Sequence, residues 1–374
     1  MIYLDANATE PLRPAARDAA LAAMAVTGNP SSIHGPGRAA RRRLEDAREA
    51  VAAVLNARPR DVVFTAGATE ANALAIAALG AGRPLLVGAT EHDAVRAAAP
   101  QGVTIPVNAD GLVAPALLEA LLARHPGALV CLMAANNETG VRHDIAAAAA
   151  LCSRHGAILH VDAAQAAARV PEDWLGMGAV SVAVSGHKAG GPLGAGALVL
   201  APDTEVTAMI RGGGQESGRR GGTPALPAIA GMAAAFGESY EAGRIAGWRD
   251  DIEAFCTGLG AIAIGAGASR LPNTTCLAMP GLRADTQLIA LDLAGVAVSA
   301  GAACSSGRLA HSHVLAAMGF EGLAGCAIRV SLPWNADAAM VPAFCDAYAA
   351  MLARAPRAAG LPRARLTPTE PAAT

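Results

Sequence analysis

The run Val180-Ser181-Val182-Ala183-Val184-Ser185-Gly186-His187-Lys188, continuing into Ala189-Gly190-Gly191-Pro192-Leu193-Gly194-Ala195-Gly196, decides the fold. An apolar strand that ends in a lysine fenced by glycines and small residues places an amine where it loses water. It is then nucleophilic toward a carbonyl cofactor, which is Schiff-base chemistry. Upstream, Ala157-Ile158-Leu159-His160-Val161-Asp162-Ala163-Ala164-Gln165 is a second strand ending in a carboxylate. A carboxylate there suits the pyridinium nitrogen of pyridoxal phosphate, so two strand ends address one ring.

Working outward, short β-rich runs alternate with longer helical patterns: 62–65, 85–87, 129–133, 158–161, 180–184 and 197–200. That alternation predicts a mostly parallel sheet with helices on both faces and ligands outside the carboxyl ends of the strands. Polar groups follow five of these runs: Gly67-Ala68-Thr69-Glu70, Glu91-His92, Asn136-Asn137-Glu138, Asp162 with Gln165, and Lys188. Runs at 274–279, 296–298 and 327–332 predict a second, smaller lobe. We place the large cofactor-binding domain at 13–245 and the small domain at 1–12 with 246–356. Residues 357–374 read as a disordered tail.

The 374 residues suffice for two lobes, and 53% hydrophobic with only 3% aromatic residues suits aliphatic helices on a parallel sheet. A formal net charge of −2 argues against nucleic acid as the main ligand. Arg38 and Arg41-Arg42-Arg43 open a helix with the apolar stripe Leu44, Ala47, Val51 and Leu55, and read as its solvated face. The 7 cysteines are odd in number and never spaced Cys-x-x-Cys, so neither a disulfide framework nor a metal site is indicated. With no secretory signal and no apolar stretch long enough to span a bilayer, the expected setting is soluble, reducing and cytoplasmic, without a membrane.

Several residues carry two readings. Gly67-Ala68-Thr69 is either an ordinary capped helix start or a phosphate cradle. Ser185 and His187 are either further phosphate donors or structural strand-end residues. His92 is either structural or an imidazole that stacks on a ring and moves protons, and Asn137 and Gln165 either bond a ring oxygen or bridge loops. Cys304, in the small-residue run Ser299-Ala300-Gly301-Ala302-Ala303-Cys304-Ser305-Ser306-Gly307, is a nucleophile or a bystander, whereas the other six cysteines fall in helical or strand-like runs. Arg329, a charge inside a strand pattern, closes an ion pair or forks onto a carboxylate. The glycine-rich stretch Gly212 to Thr223 is a functional loop or an interdomain linker.

In this order, from Tyr3-Leu4-Asp5-Ala6-Asn7-Ala8-Thr9 to about Leu332, these segments resemble the cysteine desulfurases of the class V pyridoxal-phosphate aminotransferase group, of the type with a long, mobile cysteine loop. The resemblance implies an aspartate-aminotransferase-like α/β fold, with a large, mostly parallel seven-stranded sheet domain and a smaller α+β domain. It implies that Lys188 binds the cofactor and takes the substrate Cα proton. Asp162 would keep the ring nitrogen protonated, Gln165 and Asn137 would bond the ring oxygen, and His92 would stack and relay protons. Ala68, Thr69, Ser185 and His187 would hold the phosphate, with Thr223 reaching across from a partner subunit of a homodimer. Arg329 and Asn29 would hold the carboxylate of L-cysteine, and Cys304 would accept its sulfur as a persulfide for transfer to an acceptor such as an iron-sulfur scaffold.

Ala300 and Ala302 stand where that group usually has serines, Ser217 where arginine is common, and Pro333-Trp334 where glycine follows the last strand. The C-terminal segment does not resemble the one that docks the scaffold. The competing readings are another reaction on the same cofactor, such as selenocysteine lysis, transamination or β-elimination, and a non-catalytic platform.

Overall fold

The computed structural model of the chain describes residues 1–170, 172–301 and 311–354. Cys304 and the tail expected at 357–374 lie outside the described residues. The strands in chain order are β1 (Ile2–Tyr3), β2 (Val62–Thr65), β3 (Leu85–Gly88), β4 (Val103–Ile105), β5 (Leu129–Met133), β6 (Ile158–Asp162) and β7 (Ser181–Ser185). They continue with β8 (Gly196–Leu200), β9 (Ile262–Ile264), β10 (Thr274–Ala278), β11 (Val296–Ala297), β12 (Ser299–Ala300) and β13 (Ala327–Ser331). The helices are α1 (Pro14–Met24), α2 (Gly35–Val54), α3 (Ala68–Leu79), α4 (Asp93–Arg96), α5 (Pro115–Arg124) and α6 (Ile145–Arg154). After them come α7 (Leu226–Phe236), α8 (Ala242–Gly258), α9 (Ala284–Leu293), α10 (His313–Ala317) and α11 (Met340–Arg354).

Among the described residues, β2 to β8 form one seven-stranded sheet in the order β2-β8-β7-β6-β5-β3-β4. β4, β3, β5, β6 and β7 run parallel, and β8 is antiparallel to both β7 and β2. β5, β7 and β8 are buried along their whole length, which is why they read as unbroken aliphatic runs. Helices cover both faces. On α2, Leu44, Ala47 and Val51 face the core while Arg41, Arg42 and Arg43 stay exposed, which is the solvated face expected of that basic run. Asp144 caps α6 by accepting from the Ala147 N–H at 2.9 Å.

A four-stranded antiparallel sheet, β12-β13-β10-β9, and the parallel pair β1-β11 form beside it. Their core, which includes Ile245, Leu277, Val330, Phe344 and Tyr348, also takes in Leu4, so the N-terminal segment packs here before it reaches the large sheet. The strand expected at 296–298 is β11, which pairs with β1; after Val298 the chain switches sheets, and Ser299–Ala300, at the start of the small-residue run, pairs with β13 as a further strand. β4 and β9 are three-residue edge strands, too short for alternation to announce them. Cys326, expected in a regular element, lies instead in the turn that enters β13.

Gly196 starts β8 directly under the turn that opens α3. A Cβ there would lie 2.6 Å from the Gly67 Cα and 2.7 Å from the Val184 carbonyl oxygen, backbone atoms that cannot rotate away. Gly196→Ala is expected to destabilise the protein by roughly 1–3 kcal/mol in urea unfolding. Gly247→Ala, in an open position inside α8, is expected to stabilise it by about 0.5–1 kcal/mol.

Candidate active site

The carboxyl ends of β2, β3, β5, β6 and β7 open onto one cavity of about 910 Å³. Its wall takes Ala68, Thr69, His92, Asn137, Asp162, Gln165, Ser185, His187 and Lys188 from the large sheet and its loops, and Arg329, Ser299 and Gly301 from the smaller one. The structure thus brings together the residues singled out after five separate strands. Asn29 and Thr223 are exposed and do not line it. Thr223 lines a smaller cavity with Thr65, Gly194 and Arg220.

Sequence reasoning missed the N-terminal segment as part of the site, since there it only carried a resemblance. Asp5, Asn7 and Ala8 line the cavity. Asn7, 1% exposed, spends every polar group on a different neighbour. Its backbone N–H donates to Ser331 Oγ at 3.0 Å, and its Nδ2 donates to Thr274 Oγ1 at 2.9 Å and to the Asn137 carbonyl at 3.1 Å. Its Oδ1 accepts from Asn273 Nδ2 at 3.1 Å. Its carbonyl accepts from Gln165 Nε2 at 3.0 Å and from Lys188 Nζ, which also donates to the Ala8 carbonyl at 2.9 Å. Contacts hundreds of positions apart leave no local signal.

Asp162 ends β6 largely buried in the cavity wall. Burial pushes its carboxyl up, and N–H groups from Ala164 at 2.9 Å and Asn72 at 2.7 Å, with the charges of His92 and Lys188, pull it back. Gln165 is oriented from behind: Arg169 Nη1 donates to its Oε1 at 2.7 Å, which turns its amide N–H toward the cavity-side carbonyl of Asn7. Arg169 is itself bonded to Glu10 at 3.0 Å, both side chains being almost wholly buried. His92 caps α4, its Nδ1 accepting from the Ala94 N–H at 3.0 Å, so in the neutral ring the mobile proton sits on Nε2.

At the other end of the cavity α3 begins at Ala68, and the N–H groups of a first helical turn have no partner within their helix. Glu70 in that turn accepts from the Ala66 N–H at 2.8 Å and pairs with Arg220 at 2.7 Å. The glycine-rich stretch is therefore no free linker. Its Glu216 accepts from the Phe64 N–H at 2.9 Å and from both Nη atoms of Arg48, which pins the stretch to the sheet edge. His187, its Nδ1 3.1 Å from Thr9 Oγ1, is held neutral at ordinary pH because burial and the neighbouring Lys188 lower its pKa to about 4.

Arg329 lies 5% exposed on β13, with Nη1 donating to the Asn137 carbonyl at 3.0 Å and Nη2 paired with Asp5 at 2.5 Å. Its Nε is buried without a hydrogen-bond partner among the described residues. Glu138, pushed up by burial, accepts from Ser312 Oγ at 2.5 Å, and its carboxylate lies against Gly301. Ser312 and Gly301, on either side of the segment that contains Cys304, thus lie beside one carboxyl group.

The donor set fits pyridoxal phosphate. A lysine amine, a buried carboxylate, an imidazole, a helix N-terminus and the Arg329 side chain line one cavity of ligand size. No group of three or more His, Cys, Asp or Glu side chains suited to a metal occurs among the described residues.

The aminotransferase class-V family profile matches residues 2–344. An IscS-like cysteine desulfurase from Mycobacterium tuberculosis is 37% identical over 385 residues, covering 96% of this chain and 98% of that protein. A cysteine desulfurase from Cereibacter sphaeroides is 40% identical over 335 residues, covering 85% and 86%. The solved structure of a NifS-like protein from Rickettsia africae superposes with a TM-score of 0.87 at 32% identity, over 94% of this chain and 99% of that one.

His143, beyond the loop that carries Asn137, is buried with Nε2 lacking a partner among the described residues, and burial lowers its pKa to about 4. Between pH 6.5 and 4 the unfolded chain takes up a proton there that the folded chain refuses. This residue's contribution to stability is therefore full above pH 6.5 and declines as pH falls toward 4, by an amount on the order of 3 kcal/mol. His143→Gln is expected to flatten that part of the decline in urea midpoints measured from pH 7 to pH 4.5 beside the parent protein.

Proposed function

Because this chain belongs to the aminotransferase class-V family, we infer that it is a cysteine desulfurase that converts L-cysteine to L-alanine with pyridoxal 5′-phosphate. The observation that carries this reading is the convergence of Lys188, Asp162 and Arg329 on one cavity whose wall includes Gly301, three residues before Cys304. When bound, the cofactor supplies an electron sink conjugated to the substrate's Cα.

The chain's own groups do the rest. Arg329 and Asn29 bind the substrate carboxylate, which fixes Cα over the lysine. Lys188 would hold the cofactor, and its neutral amine would then take the Cα proton. Asp162 keeps the ring nitrogen protonated, Asn137 and Gln165 bond the ring oxygen, and His92 stacks on the ring and carries a proton at Nε2. Ala68, Thr69, Ser185 and neutral His187 hold the phosphate.

Cys304 attacks the substrate sulfur as a thiolate. The carbon–sulfur bond of cysteine breaks and a sulfur–sulfur bond forms, so cysteine and the enzyme thiol become alanine and an enzyme persulfide. A free thiol has a pKa of roughly 8.5, so this role requires a raised thiolate fraction. Five of the other six cysteines, Cys131, Cys152, Cys256, Cys276 and Cys345, are buried with pKa values pushed up by burial, and Cys326 is half-buried in the turn that enters β13.

We further propose a homodimer. Thr223 and Asn29 are exposed and outside the cavity of their own chain, and a second subunit is the arrangement in which they reach a site. In this reading residues 13–245 hold the cofactor, and 1–12 with 246–356 carry Arg329 and Cys304. The persulfide sulfur then passes to an acceptor such as an iron-sulfur scaffold. No described helix is long and apolar enough to cross a membrane.

Alanine formation from L-cysteine by the cofactor-loaded protein tests the reading. Lys188→Ala is expected to lower it by roughly 10²–10⁴-fold, and Cys304→Ala to lower it to background. Undiminished alanine from Cys304→Ala would overturn the persulfide route, and pyruvate in place of alanine would move the assignment to β-elimination.

A further inference from the structure

Behind Asp162 lies a line of buried polar side chains that none of the roles above uses. Asn72 Nδ2 is 2.7 Å from Asp162 Oδ2, Asn72 Oδ1 is 2.9 Å from His160 Nε2, and His160 Nδ1 is 2.8 Å from Ser181 Oγ. Asn72, His160 and Ser181 show no exposure at all. We propose that Ser181, His160 and Asn72 form a one-way line of hydrogen-bond donors aimed at Asp162, and that Asn72 and His160 are positioning residues for the cofactor's ring nitrogen. The proposal rests on the reading of Asp162 as the partner of that nitrogen.

The direction follows from the chemistry of the end group. A carboxylate only accepts, so Asn72 must turn its amide N–H₂ toward Asp162 and its Oδ1 toward His160. An amide oxygen also only accepts, so His160 must carry its proton on Nε2. The Nδ1 is then the bare nitrogen and takes the Ser181 hydroxyl proton. His160 stays neutral because burial lowers its pKa to about 4. Every dipole in the line therefore points its positive end at Asp162, and each bond strengthens the next.

His160 performs a second task by this geometry. The Asn72 amide has two orientations of nearly equal shape, and the wrong one would aim its oxygen at the carboxylate. The Nε2 proton of His160 selects the right one.

The fold places these groups without strain. His160 and Asp162 lie two apart on β6 and so share one face of the sheet, and His160 is the register partner of Ser181 on β7. Asn72 descends from α3, whose neighbours Ala71, Leu74 and Ala75 pack on Val63, Ala183 and Leu198. The line thus runs through apolar surroundings, where a hydrogen bond to a charge is strong and its loss is severe.

It also has opposition to meet. Burial raises the carboxyl's proton affinity, while His92 and Lys188 on the cavity side lower it, and Glu91, from the loop after β3, is itself pushed toward the neutral acid by burial and by the charge of Asp162. Cys131 on β5 is neutral, its thiol pushed far up by burial. The same helix that offers its first turn to the phosphate thus secures the ring nitrogen one turn later.

The test compares the holoenzyme with Asn72→Ala, His160→Phe, His160→Gln, Ser181→Ala and Asp162→Ala. The readouts are the pyridoxal phosphate dissociation constant and the midpoint of the bound cofactor's absorbance between pH 5 and 10. A protonated ring nitrogen withdraws electrons from the nitrogen joined to the cofactor's carbonyl carbon, so its loss raises that midpoint. Asn72→Ala is expected to weaken binding by roughly 10–100-fold and His160→Phe by about tenfold, each with a midpoint about one unit higher. Ser181→Ala should move both readouts least in the same direction. His160→Gln, whose amide still donates to Asn72, should stay within about threefold of the parent.

A line that merely fills space would lower the melting temperature of these variants without moving the midpoint. Parental constants in Asn72→Ala and His160→Phe, with Asp162→Ala shifted, would overturn this inference alone. Parental constants in Asp162→Ala itself would overturn the reading on which it rests.

Discussion

One asparagine side chain and its peptide group join the parts of the site. Asn7 bonds β10 through Thr274, β13 through Ser331, the loop after β5 through Asn137, and the loops after β6 and β7 through Gln165 and Lys188. Thr274 lies 267 positions away in sequence. Because every polar group of Asn7 is engaged and buried, the lysine cannot shift relative to the smaller sheet without breaking bonds that water does not replace. The N-terminal segment is therefore a strap with two anchors, Leu4 in the second core and Asn7 at the floor of the cavity.

The second constraint is electrostatic. The site gathers buried carboxyl groups at Glu10, Glu91, Glu138 and Asp162, and burial pushes each one up. Each is met differently. Glu10 is answered by Arg169 and by the Trp334 N–H at 3.1 Å, so one ion pair both orients Gln165 and ties the chain after β13 to the large sheet. Breaking such a pair from one side costs about 3–5 kcal/mol, because it strands the partner's charge. Glu138 takes a hydroxyl proton donor from Ser312, and Glu91 takes the Met133 N–H and is the one driven furthest toward the neutral acid. Asp162, like Glu10, has donors on both oxygens, and of the four it alone lines the cavity with the lysine and the imidazole.

Sequence legibility followed the range of the interactions. Lys188, Asp162, His92 and Thr69 were readable because a parallel sheet delivers whatever follows its strands to one edge, and aliphatic runs mark those strands. The basic face of α2 was readable from its 3.6-residue stripe. Asp5, Asn7 and Asn72 were not: each is an ordinary polar residue whose partners sit on other elements, so neither periodicity nor composition marks it. The change of sheet after Val298 was hidden because the small-residue run from Ser299 carries no strand pattern of its own, and its pairing is set by β13. Glu216 and Ser217 adopt positive φ angles of 49° and 59°, and the glycines around them disguised as flexible a stretch that an ion pair holds in place.

That sulfur leaves L-cysteine by transfer to Cys304 is tested most directly by mass spectrometry. The cofactor-loaded protein is treated with less than one equivalent of L-cysteine, alkylated, digested and mapped. The predicted result is a gain of one sulfur atom on the peptide that contains Cys304, in amount equal to the alanine released. Alanine or pyruvate released with free sulfide and an unmodified Cys304 peptide, or the extra sulfur on another cysteine, would contradict it.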